Sequence, residues 1–175
     1  MSTKTIISVV VAAIALAACT PPSQSSYTVT DVSEPLILSL SIDKDAYQAD
    51  EPIYAMLTIA NTSNTDVIIK KRMAANARSE SVQKRDVVFI INSPTGYTSH
   101  YKPKTNVFPV EDSDFASLPA GEKIEQIYDL RDLYYIDEHG THSVFVIYQN
   151  SSDPSNGTAW RGELVSNVVL FTINP

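Results

Sequence analysis

Apolar residues recur at every second position over residues 36–42. Leu36, Leu38, Leu40 and Ile42 alternate with Ile37, Ser39 and Ser41, the two-residue period of a half-buried strand. Pro35 marks its beginning and Asp43-Lys44-Asp45 its end. Ile53, Ala55, Leu57 and Ile59 repeat the pattern after the turn-rich residues 48–52. Residues 61–66 carry Asn, Asp, Ser and Thr, whose side chains bond their own backbone in turns. Residues 67–71 then predict a third strand, closing a hairpin.

Residues 73–85 read either as one helical turn or as a long loop. Residues 86–91 predict a strand that is apolar on both faces, with a turn at 92–96 and a return at 97–101. Pro103 and Pro109 interrupt the next stretch, leaving an irregular acidic loop through Glu111, Asp112 and Asp114. A turn at 118–122 leads into a strand carrying Ile124, Tyr128 and Leu130. His142, Val144, Val146 and Tyr148 alternate with Phe145 and Ile147, apolar on both sides and therefore central. A polar loop over 151–158 precedes a closing strand over 164–173. Seven to nine strands with few helices predict an all-β domain, most economically an immunoglobulin-like β-sandwich, with a closed barrel as its rival.

The N-terminus obeys a different pattern. Lys4 precedes an almost unbroken apolar run over residues 6–18, shorter than the roughly 20 residues that span a bilayer but suited to a secretory leader. The run ends in Leu16-Ala17-Ala18-Cys19, which resembles the lipobox of bacterial lipoproteins. That resemblance implies a diacylglyceryl group on the Cys19 thiol, cleavage before it, and acylation of the new amine. Ala15-Leu16-Ala17 also fits the cleavage site of an ordinary signal peptide, which would leave Cys19 as a free thiol. Thr20 comes next after the cysteine, and in such lipoproteins the absence of Asp there implies transfer to the outer membrane.

The expected organisation is therefore a lipoprotein signal peptide over residues 1–18, lipidated Cys19 with a flexible tether over 19–33, and one β-sandwich domain over 34–175. The expected location is the bacterial cell envelope. Removing the leader takes away Lys4 and no acid, so the formal charge moves from −7 to about −8. That balance argues against a nucleic-acid partner and leaves membrane attachment to the acyl chains. Cys19 is the only cysteine, so the domain folds without disulfides.

The phrases LSLSIDKDAY (38–47), DEPI (50–53), LTIANTS (57–63), LPAGE (118–122), YDL (128–130) and HGTHSV (139–144) give the domain a further resemblance. It is similar to the N-terminal domain of deuterolysin-type zinc endopeptidases and to the bacillar intracellular proteinase inhibitor domain. The resemblance implies the immunoglobulin-like fold. The chain departs from it twice. No His-Glu-x-x-His occurs, and the Gly-x-Tyr entry to an immunoglobulin F strand reads Gly140-Thr141-His142.

Chemistry is sparse. His139 and His142 lie beside Asp137 and Glu138 and invite a metal reading, but they straddle a turn and a strand rather than one face, so no metal site is expected. No Gly-x-Ser-x-Gly elbow and no glycine-rich phosphate loop is present. The reading is a non-catalytic chain without a cofactor. Two patches remain as binding candidates. Lys70, Lys71, Arg72, Arg78, Lys84 and Arg85 concentrate positive charge in an acidic chain, as a docking surface or as a solvated loop. Trp160-Arg161 comes just after the polar loop, as an interface anchor or as the seal of a sandwich end.

The expected function is a lipid-anchored periplasmic or outer-membrane module that engages a protein or envelope component through its loops. The alternative, implied by the resemblance, is a proteinase inhibitor or pro-domain-like regulator of a secreted metalloendopeptidase.

Overall fold

The computed structural model describes residues 34–75, 85–102 and 109–175. Cys19, its tether and leader, Arg78 and Lys84 lie outside the described residues. Among the described residues no helix is long and apolar enough to cross a membrane.

The alternation at the start of the domain becomes strand β1 (Leu36–Ile42), with Leu36, Leu38 and Leu40 buried and Ile37 turned outward. It pairs antiparallel with β3 (Tyr54–Asn61), whose Ala55, Leu57 and Ile59 face the same interior. The other edge of β3 takes β7 (Lys123–Asp129), completing a three-stranded sheet.

The second sheet is organised by β8 (Gly140–Asn150), the longest of the described strands. Along one edge β8 pairs with β5 (Val87–Asn92). Along the other, its N-terminal part pairs with β10 (Val169–Ile173) and its C-terminal part with β9 (Gly162–Val165). The two-residue β2 (Ala46–Tyr47) adds parallel to β10. A separate two-stranded ladder joins β4 (Val67–Lys70) to β6 (Phe115–Leu118).

The inward faces of the two larger sheets meet in one core. Leu38, Leu40, Leu57 and Ile59 pack with Tyr47, Phe89, Val144, Val146 and Phe171 in a single buried cluster. Burial of such side chains stabilises by roughly 1.5–3 kcal/mol each. Two twisted sheets sharing one core are the layer logic of a sandwich. The described ladders form three separate sheets rather than one closed cylinder, which disfavours the barrel rival.

Among the described residues ten strands stand where seven to nine were expected, and the excess has local causes. The closing strand breaks between β9 and β10, where the Ser166 hydroxyl accepts from the Val146 N–H at 3.0 Å in place of a ladder carbonyl. Phe115 and Leu118 lie in β6 rather than in a loop and a turn. Leu130 does not extend β7. It begins a one-turn helix, α1 (Leu130–Leu133), capped by the Asp129 carboxylate, which accepts from the Arg131 N–H at 2.9 Å. Helical spacing buries both Leu130 and Leu133, which strand alternation would place on opposite faces. The expected return strand over 97–101 is reduced to isolated bridges, Asn92 to Thr98 and Tyr101 to Tyr134.

Candidate functional site

Among the described residues of the basic stretch, Lys70, Arg72 and Arg85 are not part of a solvated surface. Lys70 ends β4 with its side chain turned inward, and its Nζ lies 2.8 Å from Asp86 Oδ1. Arg72 grips the same carboxylate, with Nε 2.8 Å from Oδ2 and Nη2 3.2 Å from Oδ1. The Ala74 N–H adds a third donor at 3.0 Å to Oδ2. Burial pushes the Asp86 carboxyl up, but the hydrogen bonds from Arg72, Lys70 and Ala74 outweigh it and hold the group below the ordinary carboxylate range. Arg72 also reaches Asp114 at 3.3 Å. Of the described basic residues in this stretch, Lys71 alone is exposed.

Tyr148 anchors the backbone beneath this cluster. Its hydroxyl accepts from the Lys70 N–H at 3.1 Å and donates to the Lys70 carbonyl at 3.0 Å, bonding β8 to the end of β4. Burial pushes the phenol well above its usual range.

Arg85 is also buried. Its Nη1 donates to the Tyr134 hydroxyl at 3.1 Å, and its guanidinium lies 4.1 Å from the centroid of the Tyr101 ring. The neighbouring β8 supplies the Gln149 side chain, which donates to the Arg85 carbonyl at 2.6 Å.

The second patch is tied to the C-terminal end of β8. The Asn150 amide donates to the Trp160 carbonyl at 2.6 Å and to the Ser152 carbonyl at 3.0 Å, closing the base of the polar loop. The Trp160 backbone N–H donates to the Ile68 carbonyl at 2.8 Å. The Trp160 ring stacks on Tyr148, centroids 5.8 Å apart, and its indole N–H donates to Glu34 at 3.2 Å. Trp160 thus seals the sheet end, while the Arg161 side chain reaches solvent in an ion pair with Asp153.

The two patches, far apart in sequence, meet. Lys70, Arg85 and Arg161 line one cavity of about 460 Å³, with Asp86, Glu163, the polar end of β8 at Gln149 and Asn150, and Ser151 just after it. Lys70 and Arg85, each 5% exposed, are part of the fold, whereas Arg161 stands at the mouth. Sequence patterning missed Asp86, Gln149, Asn150 and Glu163. The signal was present in Asp86, a charge placed at the threshold of the apolar run of β5, and in Gln149-Asn150, where the apolar pattern of β8 stops.

At the opposite end of the β5–β8 pair, Asp137, Glu138 and His142 line a second cavity of about 420 Å³ with His100, Tyr97 and Tyr135. His139 is not part of its lining. The His142 ring stacks on Phe171 at 5.1 Å and 12°. Its Nδ1 lies 3.1 Å from the Gly140 carbonyl, which can only accept, so the proton belongs on Nδ1. Among the described residues Nε2 is buried without a hydrogen-bond partner. Burial pushes the imidazole below its usual pKa of 6.5. Among the described residues no three His, Cys, Asp or Glu side chains converge as a metal ion would require.

No family model matches the chain. No curated protein matches it either. Among solved structures it is similar to part of a β-glucosidase from Listeria innocua, in complex with isofagomine, at 15% identity and a TM-score of 0.36. That likeness covers 79% of this chain and 16% of the glucosidase. The chain therefore spans about a sixth of that protein, and a likeness so distant carries no argument about activity.

Proposed function

We propose that this chain is a lipid-anchored, non-catalytic binding module of the bacterial envelope. Its immunoglobulin-like sandwich would hold a recognition site toward a protein partner, and Cys19 would carry the lipid that fixes it to the outer membrane. The leader and the Leu16-Ala17-Ala18-Cys19 ending support the anchor.

The observation that carries the recognition reading is the convergence of Lys70, Arg85 and Arg161 on one cavity. A buried polar cluster costs desolvation and is retained where it orients groups, and ligand sites combine a preformed concavity with a few placed polar groups. Loops held on a rigid sheet end are where recognition commonly resides.

Photocrosslinking from position 151 in living cells, with capture and mass spectrometry, tests the reading. The expected result is one specific envelope protein, recovered from wild type and lost with the Arg161→Glu variant. Recovery of no specific protein from either would refute it. Intact mass of the membrane-extracted chain tests the anchor, and a mass without diacylglycerol on Cys19 would remove it.

A further inference from the structure

We infer that the cavity lined by Tyr97, Asp137, Glu138 and His142 binds a guanidinium cation. This site goes beyond the envelope-module reading and does not depend on it, since it lies at the other end of the β5–β8 pair from the basic cavity.

The charge around this cavity is uncompensated. Among the described residues neither Asp137 nor Glu138 forms an ion pair. Glu138 accepts one neutral hydrogen bond, from the Thr95 hydroxyl at 2.8 Å, and the Asp137 carboxylate accepts none. No Lys or Arg belongs to the described lining, so with histidines counted neutral it carries two negative charges and no positive one. Two cations stand close by but are engaged elsewhere. Arg131, whose charge reaches His142, donates to the carbonyls of Glu51, Ile136 and Gln48. Lys102 donates to the Arg131 carbonyl at 2.8 Å and lies 4.6 Å from the centroid of the Tyr135 ring. A cavity of this sign attracts a cation and repels phosphate or carboxylate.

The acceptors select the kind of cation. His142 is a wall residue, 1% exposed, whose Nδ1 proton faces the Gly140 carbonyl, so Nε2 is the ring nitrogen left to accept. A buried acceptor without a donor is unfavourable, and a ligand N–H removes that penalty. The acceptors are dispersed, because among the described residues no three His, Cys, Asp or Glu side chains converge on one point. That spacing does not suit a metal ion, nor an ammonium, which is a compact point charge with three donors. A guanidinium spreads five N–H donors over a planar fork, which reaches separate acceptors and matches a carboxylate edge. Its flat face also stacks on an aromatic ring. Tyr97, 76% exposed, offers such a ring, whereas Tyr135 already carries Lys102. A volume of about 420 Å³ holds a guanidinium together with its alkyl stem.

The test is calorimetric titration of the full chain in uncharged detergent micelles at low salt. The probes are an acetylated, amidated pentapeptide bearing one Arg, the same peptide with citrulline as the uncharged isostere, the same peptide with Lys, and ethylguanidinium. The expected result is saturation by the Arg peptide, with binding weakened about tenfold or more for the citrulline peptide and for the Asp137→Asn, Glu138→Gln double variant. Tyr97→Ala should weaken it about two- to fivefold. Glu122→Gln, which removes an exposed carboxylate outside the lining, should leave it unchanged. The His142 Nε2 nitrogen resonance should move as the site fills. Equal binding of the Arg and citrulline peptides, tighter binding of the Lys peptide, or no saturable heat into the millimolar range would overturn the inference. So would a Glu122→Gln effect as large as that of the double variant, or an Nε2 resonance that stays fixed at saturation. Ethylguanidinium binding as tightly as the Arg peptide would identify a small molecule as the ligand, and tighter peptide binding an arginine side chain of a protein; both outcomes uphold the guanidinium site. Capture of a partner from position 151 reports on the opposite end alone, so the failure of one reading is distinguishable from the failure of the other.

Discussion

The Asn167 side-chain amide pairs with both backbone groups of Leu40: its Nδ2 donates to the Leu40 carbonyl at 3.0 Å, and its Oδ1 accepts from the Leu40 N–H at 2.9 Å. One side chain thus does the work of a strand residue. It sits in the break between β9 and β10 and occupies the edge of β1, so it fastens one sheet to the other. It also satisfies an edge that would otherwise offer unpaired groups to another chain.

Asn167→Asp keeps the acceptor and removes the donor. The expected cost is about 1–2 kcal/mol, read as a thermal midpoint roughly 2–6 °C lower. An unchanged midpoint would show that the amide pair contributes nothing net.

Asp86 is shared by Lys70 and Arg72 inside the fold, so Asp86→Asn leaves buried Lys70 without its counter-charge and Arg72 without its closest one. A loss of about 3–5 kcal/mol is expected, measured by urea unfolding. The folded carboxyl titrates below its ordinary value of 3.8. Its stabilisation is therefore complete above pH 3.8 and is lost as pH falls through the lower folded value. The wild type should show this acid limb and the Asn variant a flatter one. Parallel limbs would contradict the assignment.

His142 acts with the same sign at higher pH. Burial lowers its pKa from 6.5, so below pH 6.5 the unfolded chain takes up a proton that the folded chain refuses. Stability should be full above pH 6.5, decline as pH falls toward the folded value, and level off beneath it. His142→Phe retains a ring to stack on Phe171 and should abolish that decline. Persistence of the slope in the variant would place its origin elsewhere.

Gly162 has a φ of +145°, and a Cβ there would lie 3.1 Å from Trp160 Cζ2. Gly162→Ala should cost more than about 1 kcal/mol through backbone strain and should shift Trp160 emission as the indole is displaced from Tyr148. Wild-type emission together with wild-type stability would show that the ring and loop adapt freely.

Much of the scaffold was legible as pattern. Leu36, Leu38 and Leu40, and Ala55, Leu57 and Ile59, announced β1 and β3 because a pleated strand sends alternate side chains to opposite faces. The helix at Leu130 was hidden because two leucines three positions apart carry no more weight than a strand end until Asp129 is seen capping them. The site was half legible. Lys70, Arg85 and Arg161 stood out by charge, yet nothing local distinguishes a solvated lysine from one bonded to Asp86, since that difference is burial.

By itself, then, the amino-acid order determined the alternation of inward and outward residues, the dearth of helix and the array of ionisable groups available to the fold. These are properties of neighbours along the chain, and period-two sterics suffices to express them. Only the tertiary structure decided that Asp86 is shared by two cations, that Asn167 closes on Leu40, and that Lys70, Arg85 and Arg161 share one cavity. Those relations depend on β8 bringing distant segments together, and Coulombic and hydrogen-bond energies act over ångströms in space, whatever the separation in sequence.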